Sequence, residues 1–330
     1  MRPATKLRAT LLLALVVSFM ASSAPAQDKL RRVGILSPVS QSDADTRAQF
    51  GVFTERLREL GYVEGRNIVY EWAYAEGRYD RLPVLAGELV KAGAEVIVTH
   101  GTPATTAAKR ATATLPIVAA SFGDPVASGF ARSLAKPGGN ITGFSTMGSM
   151  VYEKRLELML EAVPGARRIG LMVNPDNTFY SRVLPGLQAA AQKQGRDLMA
   201  VNVKDAKTLQ EGFSKLVTAR VGGVLVGDDN YLSTQAGAIA GLAMKHKIPT
   251  LFAQRRGVDE GGLLSYANDS KFRYQSTAVY VDRILKGAKP AEMPIEQPTK
   301  FELAVNKKTA TALGITLPQS ILARAGKVID

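Results

Sequence analysis

Arg31-Arg32-Val33-Gly34-Ile35-Leu36-Ser37-Pro38 returns 136 residues later as Arg167-Arg168-Ile169-Gly170-Leu171-Met172-Val173-Asn174-Pro175. Each copy is a short apolar run between a basic pair and a polar turn, the pattern of a buried parallel strand. Working outward from the first copy, residues 44–60 carry Phe50, Phe53, Leu57 and Leu60 at helical spacing and end at Gly61, which reads as an amphipathic helix with a glycine stop. A strand at 68–73, a helix marked by Leu82, Leu85, Leu89 and Val90, a strand at 96–99, a helix at 103–112 and a strand at 117–120 follow. Alternation of this kind predicts a parallel, doubly wound sheet. Three further echoes occur in the same order. Gly65-Arg66-Asn67-Ile68 matches Gly195-Arg196-Asp197-Leu198, Val96-Ile97-Val98 matches Val224-Leu225-Val226, and Leu115-Pro116-Ile117-Val118 matches Ile248-Pro249-Thr250-Leu251. All four offsets lie between 128 and 136 residues, so the chain is expected to be α/β with two Rossmann-like lobes of one plan.

What remains is a strand at 263–266, a helix at 270–286, a Pro-rich stretch at 290–298, a strand at 301–305 and short helices. That is too little for a third domain. It is better used as crossings between the lobes, giving a multi-strand hinge with both sets of strand C-termini facing one cleft. The expected division is 28–143 plus 267–296 for the first lobe and 144–266 plus 297–330 for the second.

The first 26 residues read as an export signal. Arg2, Lys6 and Arg8 precede about ten mostly apolar residues at 11–20, too few to span a bilayer, and Ala24-Pro25-Ala26 has the small-x-small form of a cleavage site. No later segment reaches spanning length without charges. The chain has no cysteine, so neither disulfides nor a lipid-bearing cysteine after the cleavage site is available. The expected product is an unlipidated, soluble periplasmic protein, and a monomer. Three of the 42 basic residues lie in the signal, which leaves 39 against 29 acidic and a balance of +10. The bases are scattered, no run exceeding two, which together with export argues against nucleic acid as a partner.

Asp124-Pro125-Val126-Ala127-Ser128-Gly129-Phe130, then Leu134-Ala135-Lys136-Pro137-Gly138-Gly139-Asn140-Ile141-Thr142-Gly143, together with Val305-Asn306-Lys307-Lys308-Thr309-Ala310 and Leu313-Gly314-Ile315, resembles the signature of the ABC-transporter substrate-binding proteins of the tryptophan/tyrosine-transport type. The resemblance covers nearly all of the mature chain. It implies a type I periplasmic-binding-protein fold, an amino acid or similar small solute in the cleft, and an ABC permease with its ATPase as partners.

Ligands of such folds meet the loops after the strands. In the first lobe these loops offer Ser37, the helix start Gly101-Thr102-Pro103-Ala104-Thr105, Phe122 and Asp124. In the second they offer Asn174, Asp228, Asp229 and Tyr231, with Tyr266 at the hinge. Free N–H groups at Thr102–Thr105 suit a carboxylate, though an ordinary helix cap has the same sequence. Asp228-Asp229 suits an ammonium or, alternatively, a solvated N-cap, and the sequence leaves open which of the two faces a ligand. Asp124 either meets the ligand or shapes its turn. Phe122, Tyr231 and Tyr266 either sandwich an apolar side chain or belong to the core. Trp72 reads as packing within a strand.

Catalytic groups are scarce. His100 and His246 are the only histidines; no nucleophile elbow, phosphate loop, nicotinamide fingerprint, metal ligand set or cofactor motif occurs. The expected function is solute binding for import rather than catalysis. A periplasmic sensor would share every site residue, and a two-lobed transferase or epimerase would need a catalytic carboxylate or histidine and a phosphate loop. A DNA-binding repressor would need a recognition helix pair where the export signal stands.

Overall fold

The structure, a computed structural model, describes residues 30–330. The export signal and the cleavage expected after Ala26 lie outside the described residues. The first sheet has the order β2-β1-β3-β4-β5, from β1 (Arg31–Ser37), β2 (Ile68–Tyr74), β3 (Val96–His100), β4 (Ile117–Phe122) and β5 (Ile141–Ser145), all parallel. The second has the order β12-β11-β10-β9-β8-β6-β7. Its parallel part is β6 (Arg168–Val173), β7 (Asp197–Asn202), β8 (Gly223–Val226), β9 (Thr250–Phe252) and β10 (Leu264–Asn268). Read as β7-β6-β8-β9-β10, this is the first sheet's order again, and the four sequence echoes fall on equivalent strands or the turns before them. β11 (Phe301–Asn306) adds antiparallel to β10, and β12 (Ala325–Ile329) adds parallel to β11.

Helices cover both faces of each sheet. On the first, α1 (Ala44–Glu59) starts at the N-cap Asp43, whose carboxylate accepts from Thr46 N, and buries Phe50, Phe53 and Leu57 as the spacing requires. α2 (Leu82–Lys91) and α3 (Gly101–Ala111) pack on the opposite face. On the second, α4 (Gly148–Ala162) and α5 (Phe179–Lys193) share one face. α6 (Ala206–Thr218), the short α7 (Asn230–Thr234) and α8 (Ala236–Lys245) contribute to the other. α9 (Arg256–Asp259) follows β9.

The chain crosses between the lobes three times. The first crossing runs from β5 into α4, whose Tyr152, Leu156 and Met159 join the second core. The second runs from β10 into α10 (Ser270–Leu285), whose Tyr274, Ala278 and Val281 pack with Val33, Phe50 and Phe53 of the first core. The third leaves Glu296, bound to the first sheet through Ser145 N (2.8 Å) and Gly143 O (3.0 Å), and enters β11. Strand pairing runs past 143 and 266. Phe144 and Ser145 complete β5, while Ala267 and Asn268 pair with Glu302 and Phe301. α11 (Lys307–Leu313) and α12 (Gln319–Arg324) complete the second lobe. Trp72 does pack, edge-on to Phe50 and stacked on Tyr74, but β2 is an edge strand and 36% of Trp72 stays exposed. Among the described residues no helix is long and apolar enough to cross a membrane.

Candidate ligand cleft

The C-terminal ends of both sets of strands face one cleft of about 490 Å³. From the first lobe it is lined by Asp45 and Gln49 of α1, by His100 through Pro103 where β3 becomes α3, by Ser121 through Gly123 where β4 ends, and by Arg273 of α10. The second lobe supplies Tyr152, Asn177, Phe179, Asp228 and the loop Ala253 through Arg256. Asn268, at the end of β10, closes the hinge side.

Of the eleven residues expected from sequence, this cleft is lined by Thr102, Phe122 and Asp228. Thr102 is largely committed, since its Oγ1 accepts from Gly123 N at 3.0 Å. Phe122 is buried, edge-on to Phe130 in the first core, and Tyr152 and Phe179 are buried lining residues from the second lobe. The other eight lie elsewhere. Ser37 Oγ accepts from Val39 N in the turn after β1. Ala104 and Thr105 point into the first core, where Thr105 Oγ1 meets Thr99 Oγ1 (2.8 Å) and donates to Gly101 O. Asp124 accepts from Val126 N and Ala127 N, so it shapes its own turn. Tyr266 stacks on Phe301 at 5.2 Å.

Asp228 and Asp229 separate cleanly. Asp228 lines the cleft, its backbone N–H donating to Tyr152 Oη at 2.5 Å. Asp229 is 2% exposed and caps α7. Its carboxylate accepts from Asn174 Nδ2, Asn177 Nδ2, Tyr79 Oη, Tyr231 N and Leu232 N. Burial raises the Asp229 carboxyl above its ordinary range, against the lowering effect of those donors. Asn174 is thus a partner of Asp229, and Tyr231 binds Tyr79 Oη through its backbone N–H.

That network is also a latch, because Tyr79 belongs to the first lobe. Asn230 Nδ2 donates to His100 O across the same junction at 3.1 Å. At the mouth, Arg256 Nη1 meets Asp43 Oδ2 at 2.6 Å and Asp45 Oδ2 at 3.4 Å. Burial alone would raise Asp43, but the Arg256 guanidinium and the helix N–H of Thr46 hold it below its ordinary value. Inside, the Phe179 ring lies against Gly123 of the facing lobe so closely that a Cβ there would stand under 3.0 Å from three ring carbons. The lobes are closed on each other.

Several lining groups escaped the sequence reading. Tyr152, Phe179, Gln49 and Arg273 sit a residue or more inside helices, beyond the loops to which the strand-end rule points. His100 ends β3 and lines the cleft, where the strand-end rule does point. It is 6% exposed, and among the described residues its Nδ1, like the buried Gln49 Oε1 and Arg273 Nε, has no hydrogen-bond partner. Burial, reinforced by the Arg273 charge, lowers the His100 pKa to about 3, so the imidazole is neutral at pH 7. Among the described residues no group of three or more His, Cys, Asp or Glu could hold a metal ion.

Two alike α/β lobes, three crossings and a closed cleft of small-molecule size define a bilobal solute-binding protein of the type I periplasmic class. The chain belongs to the ABC transporter substrate binding protein family, whose model matches residues 32–329. It is 27% identical over 286 residues to the tyrosine-binding protein of Clostridioides difficile (strain R20291), covering 86% of this chain and 81% of that one. Among solved structures it is similar to a conserved domain protein of Vibrio cholerae O1 biovar El Tor, at 27% identity and a TM-score of 0.84, over 90% of this chain and 99% of the other. An ABC domain from Streptococcus pneumoniae in complex with L-Trp gives 27% identity and a TM-score of 0.82, over 91% and 100%. A ligand-free, open substrate-binding protein of Clostridium difficile gives 25% identity and a TM-score of only 0.63, over 91% and 99%. The difference accords with the closed lobes seen here.

Proposed function

We propose that this substrate-binding protein is exported to the periplasm as an unlipidated monomer, encloses an aromatic L-α-amino acid, and delivers it unchanged to the permease of an ABC importer. The observation that carries the ligand reading is the set of charges in the cleft. Asp45, Arg255, Arg256, Asp259 and Glu260 are all in ion pairs. Asp228 and Arg273 also line the cleft and are in none of the ion pairs among the described residues. One anion and one cation left over, on facing lobes, complement a zwitterion. In this reading Asp228 takes the ammonium, and Arg273 with the helix start at Gly101–Thr102 takes the carboxylate. Phe122, Tyr152 and Phe179 form the wall for a ring. The tyrosine-binding and L-Trp-bound relatives support the same class.

A thermal-shift and calorimetric screen over L-amino acids, sugars and small carboxylates tests this. L-Tyrosine or L-tryptophan should stabilise the chain, by about 2.7 kcal/mol at 100 times its dissociation constant. Saturable binding of a sugar, with none of any aromatic amino acid, would overturn it.

A further inference from the structure

We infer that Arg155 is a positioning residue that makes the cleft select for a carboxylate; this rests on the amino-acid reading above. Arg155 lies on α4 one turn beyond Tyr152 and is 3% exposed. Its Nε and Nη2 donate to Tyr266 O at 3.1 and 3.0 Å, and Nη2 also donates to Ala253 O at 3.2 Å. Its guanidinium stands 5.1 Å from the centroid of the Tyr152 ring. No carboxylate pairs with it among the described residues.

These contacts join three parts of the cleft. Tyr152 and Ala253 line it directly, and Ala253 begins the loop that carries Gln254, Arg255 and Arg256. Tyr266 lies two residues before Asn268, whose Oδ1 accepts from Arg273 Nη1 at 2.6 Å. The crossing strand at 266–268 is therefore gripped by two guanidiniums, Arg155 from the second lobe and Arg273 from the first.

A buried guanidinium loses most of its hydration. The carbonyl dipoles of Ala253 and Tyr266 and the face of Tyr152 replace part of that loss, but they do not cancel the charge. In the low dielectric behind the cleft wall its field reaches farther than it would in water. Its hydrogen bonds to Tyr266 O and Ala253 O hold the cleft wall and the crossing strand, and with that strand the Asn268 that orients Arg273 toward an anionic group of the ligand.

The test is calorimetry of the full mature chain and its Arg155→Met and Arg155→Lys variants with L-tyrosine and L-tyrosinamide, and in parallel with L-tryptophan and its amide. Each amide keeps the ammonium and ring and lacks the carboxylate charge. The parent should prefer acid to amide. Arg155→Met should shrink that preference by about tenfold, and Arg155→Lys by less, because the charge is kept but the planar fork is lost. Equal losses for acid and amide, or an unchanged preference, would overturn the inference and leave Arg155 as a packing residue. Should circular dichroism show Arg155→Met unfolded, Arg155→Lys decides on the same ratio. If the parent binds neither member of either pair, the amino-acid reading itself fails; a parent that prefers the acid and a variant that does so equally overturns only the role of Arg155.

Discussion

Replacing Gly123 by alanine should hold the two lobes apart. Phe179, at the start of α5, packs against both Gly123 on the facing lobe and Gly148 at the first crossing, and a Cβ on either glycine would stand under 3.0 Å from ring carbons. Gly123 has no left-handed φ, so alanine fits its backbone. The open protein therefore bears no strain, and an overpacking penalty of about 1–3 kcal/mol falls on the closed state alone. That corresponds to a loss of roughly 5- to 150-fold in ligand affinity, since the ligand is bridged by both lobes only on closure. Calorimetry with L-tyrosine should show the loss, and small-angle scattering at matched saturation should show less compaction than the parent. Thermal unfolding without ligand should be little changed. Parental affinity together with parental compaction would refute the reasoning, because the contact of Phe179 with Gly123 would then not belong to the liganded form.

The mouth of the cleft offers a second test. Arg256→Met should weaken binding by about three- to tenfold, a modest effect expected of a partly buried ion pair, and raised salt should erase part of the parental advantage; Asp43→Ser, which keeps a capping oxygen for α1, should give a similar loss, and the double variant should lose little more. Independent, additive losses in that calorimetric cycle would exclude a direct latch. His100 supplies a pH test on the ligand-free protein. An unfolded histidine titrates near 6.5 while the folded one is held to about 3, so between those values the unfolded chain binds a proton that the folded chain does not, and stability falls as pH drops through that window by up to about 1.4 kcal/mol per unit. His100→Asn should flatten denaturant-derived stability between pH 6 and 4 by about one proton's slope, and an unchanged slope would place the imidazole in a less buried setting than the structure does.

How much of this was legible in the sequence follows from the range of the forces involved. Strands such as Val33–Leu36 and Ile169–Val173 are buried on both faces, so hydrophobic burial writes them as uninterrupted apolar runs, and their repetition carries the two-lobe plan. Helix α1 is equally local: its cap at Asp43 and its apolar stripe sit within its own residues. The cleft is not local. Asp228 and Asp229 are adjacent and chemically identical, and only the partners Asn174, Asn177 and Tyr79, up to 150 residues away, decide that Asp229 turns inward and leaves Asp228 to the cleft. Ser37, Asp124 and Thr105 were sensible candidates by strand-end position, but each satisfies a nearby turn or helix group instead. Arg273 lies in the first turn of α10 just past a predicted strand, so applying the strand-end rule at the hinge, and one turn deeper, would have found it. Nothing local marks Tyr79, whose meaning arises only when the lobes close.

The central claim is that the cleft reads a zwitterion with Asp228 at its ammonium end. It is tested most directly by calorimetric titration of the mature chain and its Asp228→Asn variant with L-tyrosine and L-tryptophan. Asparagine keeps the size and an acceptor oxygen but removes the charge. A charge-assisted hydrogen bond worth about 1.5–3 kcal/mol predicts a fall in affinity of roughly ten- to a hundredfold, with the ligand-free melting temperature unchanged, because Asp229 and not Asp228 carries the structural network. Equal affinity of parent and Asp228→Asn for whichever of the two amino acids binds would contradict the account.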